Sequence, residues 1–260
     1  IKIMKLGVSY NIFDGEELLE NSIKSIRENV DYISVVYQTE SNFGNPCDGG
    51  LVPLLEKLEG DGLIDELFMY KPTLNRGGHY NEIRKRNLGL YISEGVDCTH
   101  HMAMDSDEFY TDEQFKFMKE EMLKGDYDSS ACQMTTYYKE PIYQLDPKED
   151  YYVSLLFKIR HGVEYVMGGP FPVLVDPTRR MVSSNCRVFT REELEMHHMS
   201  FVRKNITTKL NNSSAKGSFD SKITKISDHY NKWEYPNKVM WASGQLLNVK
   251  KVEGLFDVEF

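Results

Sequence analysis

The most informative stretch of the sequence is Cys98-Thr99-His100-His101-Met102-Ala103-Met104-Asp105-Ser106-Asp107-Glu108, a largely apolar run that ends in carboxylates. Its pattern predicts a buried strand that delivers acidic side chains to the end of a sheet. Side chains two positions apart on an extended backbone lie on the same face, so we expect Asp105 and Asp107 to bind one cation together. Mg²⁺ and Mn²⁺ prefer oxygen ligands and often share their shell with substrate phosphates. Spacing alone leaves a solvated acidic turn as the alternative.

The residues before this stretch alternate between strand-like and helix-like segments. Strands are predicted at 5–9, 32–37, 67–70 and 98–104, and helices at 18–26, 51–58 and 80–93. Asp14, with Glu17 three residues later, predicts the start of the first helix. The alternation is typical of a mostly parallel sheet flanked by helices. Ligands of such sheets bind at the carboxyl ends of the strands, where the polar run 38–45 and the Asp105 motif both fall.

Composition excludes several classes of protein. A chain of 260 residues with 40% hydrophobic content is long enough for one large core with an elaborated C-terminal part. The net charge of -9 argues against a non-specific nucleic-acid binder. Four well-separated cysteines favour free thiols in a reducing, cytoplasmic compartment over a zinc site or a disulfide framework. We expect neither secretion nor a transmembrane segment, and peripheral membrane contact through C-terminal lysines stays open.

Beyond residue 111 the regular alternation loosens. Strands are predicted at 129–138 and 151–159, which implies a mixed sheet. Residues 168–172, Gly-Gly-Pro-Phe-Pro, predict a rigid loop that a ligand can approach closely. Two helical stretches follow Arg203, joined by the polar connection 211–214.

These features together resemble a GT-A-fold nucleotide-sugar glycosyltransferase of the broad family 2 type. The resemblance covers roughly residues 4–205, and its carriers are residues 7–11 (Gly-Val-Ser-Tyr-Asn), 38–41 (Gln-Thr-Glu-Ser), 86–89 (Arg-Asn-Leu-Gly) and 105–108 (Asp-Ser-Asp-Glu). In such enzymes an R-N-x-G helix precedes a metal-binding D-x-D motif by roughly one helix and one strand, as it does here.

The resemblance implies an α/β fold with a GT-A-type (Rossmann-like) mixed, mostly parallel sheet flanked by helices, and a C-terminal helical extension. It implies a catalytic domain at 4–205, with a nucleotide-binding half at 4–110 and an acceptor half at 111–205, and the extension at 206–260. No nucleic-acid partner is expected.

The implied activity is the metal-dependent transfer of a hexosyl group from a UDP or GDP sugar to a hydroxyl of a glycan or lipid-linked acceptor, as in polysaccharide biosynthesis. Bound Mn²⁺ or Mg²⁺ stabilises the charge of the departing diphosphate. A nucleotidyltransferase is one alternative, although the first strand lacks the glycine-rich basic loop that such enzymes use. A non-enzymatic carbohydrate-binding module is the other.

The resemblance also assigns candidate ligands for the metal and the diphosphate. Asp107 is the leading metal ligand, with Asp105 on the metal or the ribose. Several GT-A enzymes supply a late histidine, for which His198 is preferred over His197. Arg203 or Lys204 would neutralise the diphosphate.

The sequence gives fewer signs of the residues that bind the nucleobase than of those that bind the metal and the diphosphate. Many family members end the second strand in an Asp that hydrogen-bonds the base, whereas this chain has Gln38, so the base stays unassigned. The candidate nucleotide-binding residues are Ser9, Tyr10, Asn11, Thr39, Glu40, Arg84, Asp105, Arg203 and Lys204.

The resemblance implies a carboxylate base for the acceptor hydroxyl, if the enzyme inverts. Asp176, after an apolar strand-like run, is preferred, with Glu164 second and the acidic turn 146–150 left open. Retention without such a base is the alternative. Tyrosines at 137, 138, 143, 151, 152 and 165 and the two tryptophans are candidates for an acceptor wall, because sugars pack on aromatic rings.

Overall fold

The computed structural model describes residues 3–258, which form one mixed sheet with helices packed against it. Within that range the strands are β1 (Leu6–Ile12), β2 (Tyr32–Tyr37), β3 (Glu66–Met69), β4 (His100–Asp105), β5 (Glu108–Phe109), β6 (Ser129–Tyr138), β7 (Glu140–Asp146), β8 (Tyr152–Lys158), β9 (Cys186–Val188), β10 (Glu195–Phe201), β11 (Val239–Met240) and β12 (Leu246–Lys251). The α-helices are α1 (Glu16–Ile26), α2 (Leu51–Gly60), α3 (Gly78–Gly95), α4 (Asp112–Gly125), α5 (Ile206–Asn212) and α6 (Ile223–Lys232).

The N-terminal half of the sheet is parallel. Its strands lie side by side in the order β4, β1, β2, β3, so their carboxyl ends share one edge. The predicted strand 5–9 is too short, because β1 continues to Ile12 and pairs along its length with both neighbours. Asn11 at the end of β1 pairs with Asp105 at the end of β4.

Helix α3 lies unusually close to β1, and a glycine makes this approach possible. A Cβ atom added to Gly89 would lie 2.1 Å from Ser9 Oγ, which is inside any allowed contact. Gly89 is the glycine of the R-N-L-G segment, and it permits close packing of the helix on the strand. The preceding residues of α3 are thereby held against the carboxyl edge of the sheet.

Helix α1 begins differently from the prediction. Its N-cap is Gly15, whose φ of 77° is in the left-handed region, and no side chain caps the helix. Asp14 therefore does not act as the predicted cap. Glycine suits this position because a Cβ is strained at positive φ.

The rest of the sheet mixes both directions. β8 pairs antiparallel with β4 and with β6, whereas β10 runs parallel to β6 and antiparallel to the short β5. The predicted α/β class, a mixed sheet flanked by helices, is confirmed. Parallel pairing predominates in the N-terminal half.

The segment after residue 205 contains the two predicted helices, α5 and α6, followed by a hairpin of β11 and β12. β12 pairs with β7, so this hairpin joins the main sheet. Tyr138, Ile226 and Trp233 belong to the hydrophobic cluster that joins these helices to the sheet. The proposed boundary at 205/206 falls between β10 and α5. None of the helices in the described part of the chain has the length and apolarity needed to cross a bilayer.

Candidate functional site

Two cavities meet at the carboxyl edge of the parallel strands. The first, here called the edge cleft, is lined by Asn11, Phe13, Asp14, Gln38, Ser41, Asn42, Glu82, Lys85, Arg86, Asp105, Ser106, Asp107, Asp176, Thr178, Arg203, Lys209, Asn212, Ser213 and Ser214. The second, the side cavity, is lined by Asp105, Glu108, Met134, Glu149, Tyr151, Tyr152, Val153, Asp176, Arg179, Met196, His198 and Trp241. Asp105 and Asp176 line both, so the two cavities adjoin.

Asp107 is the centre of charge in the edge cleft. Its Oδ2 accepts hydrogen bonds from Arg203 Nη2 at 2.6 Å and from Lys209 Nζ at 2.8 Å, and the carboxylate is buried. Burial acts to raise the pKa of Asp107, but the charges of Lys209 and Arg203 hold the pKa well below its ordinary value. Asp107 is therefore an anion at neutral pH, and two cations from the late part of the chain share one of its oxygens.

His198 approaches the other oxygen of the same carboxylate. Its Nε2 lies 3.8 Å from Asp107 Oδ1. The histidine is on β10, directly opposite Glu108 of β5, and this pairing brings the late strand beside the acidic motif. Burial lowers the pKa of His198 to about 4, so the imidazole is neutral and has a free lone pair. The predicted choice of His198 over His197 agrees with this geometry, because His197 Nδ1 instead bonds Tyr137.

Asp107 and His198 fit a divalent cation as a pair of ligands. An ion that binds a carboxylate oxygen and an imidazole nitrogen at about 2.0–2.2 Å from each can bridge atoms up to about 4 Å apart. Their separation of 3.8 Å satisfies that limit. Between residues 3 and 258, no group of three or more His, Cys, Asp or Glu side chains is arranged to hold a metal. The remaining ligands would therefore come from water or from a bound phosphate.

Asp105 is tied to a different partner. Its Oδ2 accepts a hydrogen bond from Arg179 Nη2 at 2.5 Å and lies 3.5 Å from Arg86 Nη2. Arg179 also donates to Glu108 Oε1. Burial acts to raise the pKa of Asp105, while Arg179 and Arg86 lower it further than burial raises it. Burial raises the pKa of Glu108. Asp105 is thus bound to Arg179 and Arg86, whereas Asp107 is bound to Arg203 and Lys209 and faces His198.

Several buried polar atoms around the edge cleft lack partners within the described chain. They are Nε and Nη1 of Arg86, Nη1 of Arg203 and both amide atoms of Asn11. Buried polar atoms are nearly always hydrogen-bonded, so unpartnered ones in a cavity wall indicate a ligand or ordered water. Two of the three side chains are guanidinium groups, which favours an anionic ligand.

Other residues predicted to bind the nucleotide lie outside the cleft. Tyr10 is fully buried in the core, where its hydroxyl is 3.1 Å from Ser22 Oγ. Ser9 packs under Gly89. Thr39 is exposed, and Glu40 forms a backbone bridge with Pro46. Of the three β1 residues predicted to bind the nucleotide, Asn11 lines the cleft, whereas Tyr10 points into the core because β1 continues to Ile12.

Two predicted basic residues also face away. Arg84 is exposed on α3, whereas its neighbours Lys85 and Arg86 are buried in the cleft wall. Lys204 is exposed, and its backbone N–H donates to Glu17. Lys209, five positions after Lys204 and within α5, donates a hydrogen bond to Asp107 instead.

The two candidate bases occupy different places. Asp176 lies where the cavities adjoin, and its Oδ1 accepts bonds of 2.7 Å from the backbone N–H and the hydroxyl of Thr178. Burial acts to raise the pKa of Asp176, but Arg86 and Thr178 lower it, so the group is ionised at neutral pH. Glu164 is exposed, accepts a bond from Tyr91 and lines neither cavity.

The side cavity has an aromatic and acidic wall. Of the predicted aromatic residues, Tyr151, Tyr152 and Trp241 line it. Glu149 also lines it and accepts a hydrogen bond from Thr136, and burial raises the pKa of its carboxyl group. Tyr137, Tyr138 and Tyr165 are instead buried in the core.

Arg179, Lys209 and the strap of residues 212–214 were not among the predicted site residues. The strap crosses the cleft from α5, where Asn212 Oδ1 accepts a bond of 2.9 Å from Asn45 and Ser214 contacts Gly78. Arg179 lies in an irregular loop with no periodic signal. For Lys209, the only sign in the sequence is that it is a basic residue six positions after Arg203.

Comparison with known proteins gives similarity of structure alone. No protein-family model and no curated protein sequence matches the chain. The chain is similar to the crystal structure of S. aureus TarS (11% identity, TM-score 0.48), of which it covers 42% while 85% of this chain is aligned. The TarS 1–349 structure gives 12% identity and a TM-score of 0.49, over 88% of this chain and 72% of that one.

A further similarity is to GalNAc-T7 crystallised with UDP, GalNAc and Mn²⁺, at 8% identity and a TM-score of 0.47, over 87% of this chain and 50% of that one. The TarS fragment has also been crystallised with UDP and with UDP-GlcNAc. These similarities rest on identities of 8–12% and on TM-scores below 0.5. At such identities and scores they assign no residue a role.

Proposed function

We propose that the protein is a metal-dependent glycosyltransferase that moves a sugar from a nucleotide-diphosphate sugar to a hydroxyl acceptor. The observation that carries the proposal is the meeting of Asp107 with His198, Arg203 and Lys209 in one buried cluster. Arg203 follows Asp107 by 96 positions in the chain, so the acidic motif is not an isolated turn. The site combines two cationic side chains, Arg203 and Lys209, with a pair of candidate metal ligands. A diphosphate matches this combination.

Asp107 and His198 are the residues that would hold Mn²⁺ or Mg²⁺. The ion would supply positive charge to the leaving diphosphate as the glycosidic bond breaks. Asp105, which Arg179 orients, is placed to accept a hydrogen bond from the ribose.

The basic side chains of the cleft would stabilise the same leaving group. Arg203 and Lys209 share an oxygen of Asp107, and Arg203 Nη1 has no partner among the described residues, so the guanidinium can also donate to a phosphate oxygen. Arg86 has two more unpartnered N–H groups in the wall. Because these donors are buried and already in place, they act on developing charge without reorganisation.

The acceptor would bind in the side cavity. Tyr151, Tyr152 and Trp241 offer ring surfaces on which the apolar face of a sugar can pack. Asp176, which lines both cavities, would take the proton of an acceptor hydroxyl. A base at this position implies direct displacement with inversion. A glycan or a lipid-linked sugar fits this wall.

Nucleotide binding with and without metal tests the proposal. Calorimetric titration of UDP and GDP should show tighter binding in Mn²⁺ than in EDTA. Asp107→Asn should weaken metal-dependent binding by about 10–100-fold, as expected for the loss of a metal ligand or its support. The matched control is Asp61→Asn, because Asp61 is an exposed carboxylate that pairs with Lys57 at 3.2 Å on the surface. If the Asp107 variant binds as the wild type does in Mn²⁺, the proposal is wrong.

A further inference from the structure

Residues 166–174, Val-Met-Gly-Gly-Pro-Phe-Pro-Val-Leu, form a surface loop without a single polar side chain, here called the apolar loop. None of its residues is buried, and Met167 and Leu174 are 54% and 62% exposed. Charged residues make up 27% of the whole chain, so the loop differs sharply from the rest of the surface. A contiguous exposed apolar surface marks a place where an apolar ligand or partner binds.

The two ends of the apolar loop are tied together by one side chain. Arg180 Nη1 donates to Gly169 O at 3.1 Å, and Arg180 Nη2 donates to Val175 O at 3.0 Å. The backbone N–H of Gly168 donates to Pro177 O at 3.0 Å. Because these bonds already order the loop, a ligand that binds it causes little further loss of conformational entropy.

The apolar loop adjoins the side cavity. Tyr152, which lines that cavity, donates its backbone N–H to Leu174 O at 3.2 Å. Asp176, which also lines it, is only two residues beyond Leu174, within about 7 Å along the chain. Met167 lies on the other arm of the loop, next to the bond between Gly168 and Pro177. Exposed apolar side chains are therefore continuous with the wall at which the acceptor would bind.

Building on the proposed function, we propose that the apolar loop binds a hydrocarbon substituent of the acceptor, which makes the acceptor a lipid-linked sugar and not a free glycan. Further sugar units would bring hydroxyls that need hydrogen-bond partners, and the side chains of the loop offer none. A hydrocarbon chain matches the loop because contact removes apolar surface of both from water. A bilayer surface is a poorer match, since the loop contains no lysine or arginine to pair with anionic lipids.

Matched glycosides test this assignment. Calorimetry in Mn²⁺ with UDP or GDP compares the methyl and n-octyl β-glycosides of glucose, galactose and N-acetylglucosamine, with each octyl compound below its critical micelle concentration. For at least one sugar, we expect the octyl glycoside to bind about tenfold or more tightly than the methyl glycoside. Burial of about two methylene groups against the loop accounts for this factor.

A pair of double variants locates the contact. Met167→Ser with Leu174→Ser should reduce the advantage of the octyl glycoside to about twofold or less. Met69→Ser with Leu255→Ser is the control and should keep the full advantage, because these residues are 59% and 54% exposed and line neither cavity. Both double variants should bind UDP or GDP as the wild type does, since no residue of the apolar loop lines the edge cleft.

Three results would overturn the inference while nucleotide binding leaves the proposed function intact. The first is wild-type protein that shows no advantage of the octyl glycoside for any of the sugars, a measurement that requires no variant. The second is an advantage that persists in the double variant of the apolar loop. The third is a sugar-free octyl polyoxyethylene ether that binds as tightly as the octyl glycoside, because the loop would then bind apolar surfaces in general, such as a bilayer. If neither UDP nor GDP binds in Mn²⁺, the proposed function itself is wrong, and the inference with it.

Discussion

The two halves of the site are built in opposite ways. The N-terminal half, residues 3–110, supplies its polar groups from the ends of regular parallel strands, so that Asn11, Gln38 and Asp105 lie in a row along one edge. The late half supplies Arg179 from a loop and Lys209 from a short helix. The difference shows that the regular part of a fold can place an acidic motif while a counter-charge such as Arg179 comes from a loop far along the chain.

The largest loss of stability is expected when Arg179 of the late half is removed from Asp105 and Glu108 of the N-terminal half. Arg179→Met would leave Asp105 and Glu108 without the guanidinium that bonds both of them. Removal of one partner from a buried ion pair typically costs about 3–5 kcal/mol. We expect a loss of this order in the free energy of unfolding, measured by urea denaturation. Arg27→Met is the control, because Arg27 pairs with Asp65 at 3.2 Å and neither residue lines either cavity. An equal loss in the two variants would contradict a special role for Arg179.

Acid should destabilise the N-terminal half through a buried histidine. Burial lowers the pKa of His101 to about 3, so the unfolded chain takes up this proton at higher pH than the folded chain. The stability that neutral His101 contributes is complete above the unfolded pKa of about 6.5 and is lost as the pH falls towards the folded value. For this group we expect a loss of about 2 kcal/mol between pH 7 and pH 5.

The measurement is the free energy of unfolding as a function of pH. His101→Gln should flatten the slope between pH 5 and pH 7, whereas His161→Gln, at an exposed position, should leave it unchanged. The late half contributes in the same direction, since burial lowers the pKa of His197 to about 4. A slope in the His101 variant identical to that of the wild type would contradict the assignment.

A smaller effect should follow at the point where the two halves touch. A Cβ on Gly15 would lie 1.7 Å from Arg203 Nη1, whereas a Cβ on Gly62 would have no neighbour within 4 Å. Both glycines have positive φ, 77° and 75°. Gly62→Ala should therefore show only the backbone strain, about 1 kcal/mol, and Gly15→Ala should lose more stability.

Gly15→Ala should also weaken binding of nucleoside diphosphates, because it displaces Arg203 from Asp107. Denaturation and calorimetry on the two alanine variants separate these contributions. If both variants bind UDP or GDP equally well, contact between Gly15 and Arg203 does not position the guanidinium.

The sequence predicted the regular half of the molecule well. The bounds of β2 agree with the prediction, because its run of β-branched and aromatic residues gives way to polar residues at Gln38. Asp107 and His198 remain predictions as metal ligands; the acidic motif itself indicated Asp107, and the histidine pair shortly before Arg203 indicated His198. Arg179 and Lys209 were missed because their contacts depend on loop paths that no periodicity records. Tyr10 was misplaced because the strand continues past an apparent end at Ser9.

The central claim is that Asp107 and His198 act together on one metal ion that a nucleotide also contacts. A double-mutant cycle with Asp107→Asn, His198→Ala and the double variant, read as Mn²⁺-dependent affinity for UDP or GDP, measures this directly. If both residues hold the same ion, the double variant should bind little more weakly than the weaker single variant, with a coupling above about 1 kcal/mol. Losses that add to within about 0.3–0.5 kcal/mol would show that the two residues act independently and would contradict it.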